Sequence, residues 1–81
     1  MPRYFIDIGE GSNFVVDEEG VNLPDVKAGQ RFALHTISEI ARDCLPKGGH
    51  QTFMAAVRDE SGAAPYCVKL TLSDRWNDED R

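Results

Sequence analysis

Cysteine is scarce in this chain. Its two thiols, Cys44 and Cys67, are too few for a disulfide scaffold, and their separation fits no C-x-x-C metal or redox site. Long apolar runs are missing as well: the longest unbroken stretch is a few residues, far below the ~20 that a membrane-spanning helix needs. Basic residues are in the minority, 9 Lys and Arg against 14 Asp and Glu, for a formal net charge of −5. That balance disfavours nucleic acid, whose phosphates are held by clustered Lys and Arg, and anionic membrane surfaces for the same reason. The start, Met1-Pro2-Arg3-Tyr4, lacks the basic segment and apolar run of a signal peptide, so a cytoplasmic location is expected. The 81 residues leave no room for a second domain. Without a disulfide or metal, a core this small has a modest stability margin, and a second copy would add buried surface.

What the chain does have is an average share of apolar residues, 41%, laid out in two periods. Arg3 to Ile8 alternates as a strand, with Tyr4, Ile6 and Ile8 on one face and Arg3, Phe5 and Asp7 on the other. Gly9 to Asn13 reads as a turn and Phe14 to Asp17 as a second strand, which makes a hairpin. The period then changes. Asp25, preceded by Pro24, is a good N-cap, and Val26, Gln30, Ala33, Leu34, Ile37, Ile40, Ala41 and Cys44 fall on one side of a helix over about residues 25–45. Gly29 lies at the edge of that stripe, where it would permit close approach to a sheet. Pro46 and Gly48-Gly49 stop the helix. Thr52 to Arg58 and Tyr66 to Ser73 return to a period of two on either side of a turn at Asp59 to Gly62. Asp17-Glu18-Glu19-Gly20 and Asp59-Glu60-Ser61-Gly62 are alike, but such residues are ordinary in turns and do not require a duplication.

The expected architecture is α+β: a β-β-α-β-β chain forming a four-stranded antiparallel sheet with one amphipathic helix on one face. Residues 1–74 make the domain and 75–81 a polar tail that holds Trp76. Tyr4, Ile6, Ile8, Phe14, Val16, Phe53, Val57, Val68, Leu70 and Leu72 are expected to face the helix. The opposite face would show Phe5, Val15, Met54, Ala56 and Cys67 among Arg3, Asp7, Arg58, Lys69 and Thr71. Such an apolar patch rimmed by charge marks an interaction surface. Phe32, which falls opposite the helix stripe, is a further contact candidate.

Catalytic constellations are thin. His35 on the polar side of the helix and His50 in the following loop have no partner at metal-ligand spacing. Asp7 and Asp17 could meet across the first hairpin as a carboxylate pair, but nothing nearby looks like a nucleophile or an oxyanion donor. Cys44 reads as a buried small hydrophobe, and Cys67 belongs to the far sheet face, so a bond between them is geometrically disfavoured. Gly9-x-Gly11 joins two strands without the following helix N-terminus that makes a phosphate loop work. No catalytic residue, metal or cofactor is expected.

Several segments together carry a likeness: Pro2-Arg3-Tyr4-Phe5-Ile6-Asp7-Ile8, Asp17-Glu18-Glu19-Gly20-Val21, Leu23-Pro24-Asp25, Ile40-Ala41-Arg42-Asp43 and Val57-Arg58-Asp59-Glu60-Ser61-Gly62. The chain resembles an uncharacterised family of short alphaproteobacterial proteins that begin P-R-Y-F-F-D-I. The likeness spans nearly the whole chain and departs from the family at Ile6 and in the Lys47-Gly48-Gly49-His50 loop. It implies no activity and carries no catalytic residue across. Through Leu23-Pro24-Asp25 alone the chain is also similar to small antitoxins with a partial RNase H-like fold, although the helix follows at once and no DNA-binding tail is visible. A double-stranded RNA-binding domain would need more basic residues than Lys27 and Arg31. The expected function is therefore a non-enzymatic interaction or structural module, homodimeric through the open sheet face or a sheet edge. The alternative is an antitoxin-like regulator that binds a toxin or nucleic acid.

Overall fold

The computed structural model describes residues 1–78; of the tail expected at 75–81, residues 79–81 lie outside the described residues. Alternating side chains make the long strands. In β1 (Arg3–Glu10) Ile6 is buried, and in β4 (Gln51–Arg58) Phe53, Ala55 and Val57 are buried while Met54 between them is exposed. These two strands form the antiparallel centre of the sheet, with Ile6 opposite Val57 and Ile8 opposite Ala55. Outside β4 runs β5 (Tyr66–Leu72), which completes the second hairpin with Val68 opposite Ala55 and Leu70 opposite Phe53.

The outer edge of β1 is paired twice. The short strand β2 (Asn13–Val15) covers its C-terminal half, and β3 (Val21–Asn22) covers its N-terminal end through Arg3 and Tyr4. The sheet thus has five strands in the order β2-β1-β4-β5, with β3 beside β1, not four. Two residues have too short a pattern to announce a strand; β3 exists because β1 offers it an edge.

The first hairpin corrects the expected facing. Its turn is Gly11-Ser12, two residues with Gly11 at φ 61°, so Gly9 pairs with Phe14 and Ile8 with Val15. A turn over Gly9 to Asn13 implies the neighbouring register, and a one-residue slip exchanges the faces. Phe14 accordingly lies on the open face, and Val15 on the helix side, where it is 67% exposed. Val16, also expected to face the helix, follows the strand and is exposed.

The helix α1 (Val26–Cys44) starts where Asp25 caps it, its Oδ1 accepting from the Ala28 N–H at 2.9 Å. A 3-10 turn (Leu45–Lys47) containing Pro46 ends it, and the chain reverses through Gly48 and Gly49. The buried line is Gly29, Ala33, Ile37 and Ala41. Small residues at three of four positions let the helix axis come close to the sheet: a Cβ on Gly29 would lie 2.8 Å from Val57 Cγ1. Leu34, expected in this line, is 42% exposed. The core is Ile6, Ala33, Ile37, Ala41, Phe53, Ala55 and Val57. No helix is long and apolar enough to cross a membrane among the described residues.

Candidate interaction surface

The open face divides into two ends. At one, Asp7 and Arg58 face each other from the central strands and make a two-pronged ion pair: Arg58 Nε donates to Asp7 Oδ2 at 3.0 Å and Nη2 to Oδ1 at 3.2 Å. The same Nη2 donates to the Asp17 carbonyl at 3.0 Å, and the Asp17 N–H donates to Asp7 Oδ1 at 2.9 Å. Asp17 then works through its side chain. One oxygen accepts from Ile6 N, filling the gap between β2 and β3 on the β1 edge; the other accepts from Glu19 N and Gly20 N and turns the chain toward β3.

Asp7 and Asp17 do approach each other, as the sequence allows, but not as an acid–base pair. The Arg58 hydrogen bond holds the Asp7 carboxyl below its ordinary value, and the backbone donor of Gly20, followed by those of Ile6 and Glu19, does the same for Asp17. Both stay ionised at neutral pH with their oxygens occupied, whereas a general acid needs a raised carboxyl. Asp7 is 7% exposed. The arrangement fastens the strap of residues 16–20 across the sheet edge.

Phe5 belongs to this fastening. The Arg58 guanidinium lies over its ring at 4.7 Å, a favourable cation–π contact. Gly20, at φ 76°, lies so close that a Cβ there would fall 2.8 Å from Phe5 Cε2. Phe5 is consequently half-buried, and Ala56, opposite Asp7, is half-buried as well, so neither is a free patch residue. At the other end of the face, Phe14 and Met54 flank Gly9 and are exposed; Cys67, exposed on β5, lies opposite Ala56 and level with Asp7. Phe32 stands exposed on α1, and Val15 lies on the helix side. The six sequence candidates therefore do not share one surface: Met54 and Cys67 do, Phe5 and Ala56 are partly covered, and Val15 and Phe32 lie elsewhere. Phe14 is the member that the assumed register missed.

A concavity of about 500 Å³ lies at the end of the molecule away from the ion pair, where α1, the following turn, the start of β4 and the first hairpin turn meet. Glu10, Cys44, Lys47, His50 and Gln51 line it. Cys44 is half-buried there, packed against the edge of the core, and its thiol lies 3.6 Å from Glu10 Oε1. Burial, and then the Glu10 carboxylate, push that thiol up, which is the reverse of what a nucleophilic thiolate needs. Gln51 ties the rim shut by donating to the carbonyls of Cys44 and Gly48. His35 is on α1, 3.5 Å from Glu39, remote from this cleft in sequence and on an exposed turn. Both cysteines are free. No group of three His, Cys, Asp or Glu side chains is placed to hold a metal among the described residues.

A family model described as a domain of unknown function, DUF6894, matches residues 3–71. The chain belongs to this family. The match runs from the first residue of β1 to the penultimate residue of β5, so the DUF6894 domain is the whole sheet with its helix. The ion pair, the strap and the cleft all lie within the DUF6894 span, which leaves outside it Met1, Pro2 and the residues from Leu72 onward. Searches of curated proteins and of solved structures return no match to the chain.

Proposed function

We propose that this DUF6894 protein is a small non-enzymatic interaction module that acts as a homodimer in the cytoplasm. One observation carries the reading: Phe14, Val15, Phe32, Leu34, Met54 and Leu70 all remain exposed on a domain whose largest fully buried side chains are Phe53 and Val57. More large apolar groups lie at the surface than in the deep core, and association is the ordinary remedy. The groups with catalytic potential point the same way. Asp7, Asp17 and Arg58 are spent on holding the strap, and Cys44 is held as a thiol. The net charge of −5 favours a protein partner over nucleic acid.

Sedimentation velocity and light scattering at micromolar concentration test the reading. A mass of twice the chain is expected. A strict monomer overturns it, and salt-dependent binding of DNA or RNA would favour the antitoxin-like alternative.

A further inference from the structure

The backbone of β5 has one paired side and one open side, and the structure tells them apart. Gly11 N donates to the Thr52 carbonyl at 2.9 Å, so the backbone of Thr52 points toward the first hairpin. Alternation along β4 then turns Met54, Ala56 and Arg58 the same way and aims Phe53, Ala55 and Val57 at β5. Their partners Leu70, Val68 and Tyr66 point back. Cys67, Lys69 and Thr71 are left with their N–H and C=O groups directed outward, on an edge strand seven residues long. The usual protections of such an edge, proline, a bulge or several charges, are absent from its sequence, YCVKLTL, apart from one lysine.

The helix-side fringe of that edge is apolar. Leu70 is 36% exposed although it faces the helix layer. Above it, α1 runs antiparallel to β4, with Gly29 over Val57 at one end and the Cys44 carbonyl bonded by Gln51 at the other. In a right-handed helix with that direction, Leu34 is carried from the buried line to the flank above β5.

We infer that a second copy of this chain pairs with this edge, β5 against β5 antiparallel, so that two sheets become one. This inference deepens the homodimer reading and rests on it. A two-fold axis through the sheet keeps helix-side residues opposite helix-side residues, which limits the choice of register. Setting Lys69 opposite Lys69 would place like charges face to face, which is unfavourable. Centring the pair on Leu70 removes that clash: Leu70 meets Leu70, Val68 meets Leu72, and Lys69 meets Thr71. It brings together the apolar side chains that the single helix leaves uncovered, and the outward groups of Lys69 and Thr71 gain partners.

The test is cysteine cross-linking in a Cys44→Ser/Cys67→Ser background, combined with light scattering. Opposed Leu70 positions form a non-hydrogen-bonded pair with Cα atoms roughly 4.5 Å apart, within disulfide range. Leu70→Cys is expected to yield a covalent dimer under mild oxidation. Val68→Cys, whose two copies lie four residues out of register, is expected to yield none. Leu70→Lys, at a partly exposed position, should keep the circular dichroism of the parent and weaken association at least about tenfold. Cross-linking through Val68→Cys and not Leu70→Cys would overturn the register. A dimer that neither cysteine traps and that survives Leu70→Lys would overturn edge pairing while leaving the homodimer standing. A monomer at about 100 µM would overturn both.

Discussion

Asp7 shows how one residue can look catalytic in sequence and be structural in space. Its carboxylate takes two donors from Arg58 and one from Asp17, and sits nearly out of solvent. Asp7→Ala leaves the Arg58 guanidinium and the Asp17 N–H without their acceptor. The expected loss is about 2–4 kcal/mol in urea unfolding, since removing one partner of a buried pair exposes the cost of the other. The pH dependence has a definite sign. Because the folded Asp7 and Asp17 carboxyls lie below their ordinary values, the stability they contribute is present above about pH 4 and lost as pH falls through the folded values. Urea midpoints at pH 6 and pH 3 should therefore converge for the parent and Asp7→Asn, and a constant gap would contradict this. Arg58 and Asp7 both belong to the open face by alternation alone. Their pairing was not legible in the sequence, because 51 residues separate them and only the adjacency of β1 and β4 brings them together.

At the scale of elements, the helix and both hairpins were legible, and the register of the first hairpin was not. Asp25, the apolar stripe and Pro46 bound α1 nearly where it occurs, because capping and period are local properties. The face assignment of β2 hangs on the length of one turn, and Gly9 to Asn13 is compatible with either length. Two substitutions separate the registers: Val15→Lys is expected to change stability by less than about 0.5 kcal/mol, and Phe14→Ser to cost roughly 1 kcal/mol, because the Phe14 ring lies against Gly9. Thermal unfolding of both variants checks the order. The helix–sheet contact gives a third expectation. Gly29→Ala improves helix propensity by about 1 kcal/mol, yet drives a methyl into the stiff, fully buried Val57. A net destabilisation of about 1 kcal/mol is expected, and in a double-mutant cycle Val57→Ala should relieve part of it.

Over the whole molecule, a single sheet with one helix makes a thin body. The cleft that Glu10, Cys44, Lys47 and His50 line arises at the ends of several elements, so no stretch of sequence announces it. The proposed homodimer would make stability a property of concentration: the melting temperature should rise as the protein is concentrated, and a constant value over a hundredfold range, about 1 µM to 100 µM, would speak against it. The central position of the β1–β4 pair has a kinetic consequence. Phe5 pairs with Arg58 and Glu10 with Phe53, so the middle of the sheet closes only after most of the chain has been made. Both hairpins can form early and in isolation, but neither has a core to rest on. Loop closure over such separations must precede the contacts that reward it. The rate-limiting event of folding is then the meeting of the two hairpins, and a newly made chain stays open to proteolysis until its last third has emerged from the ribosome.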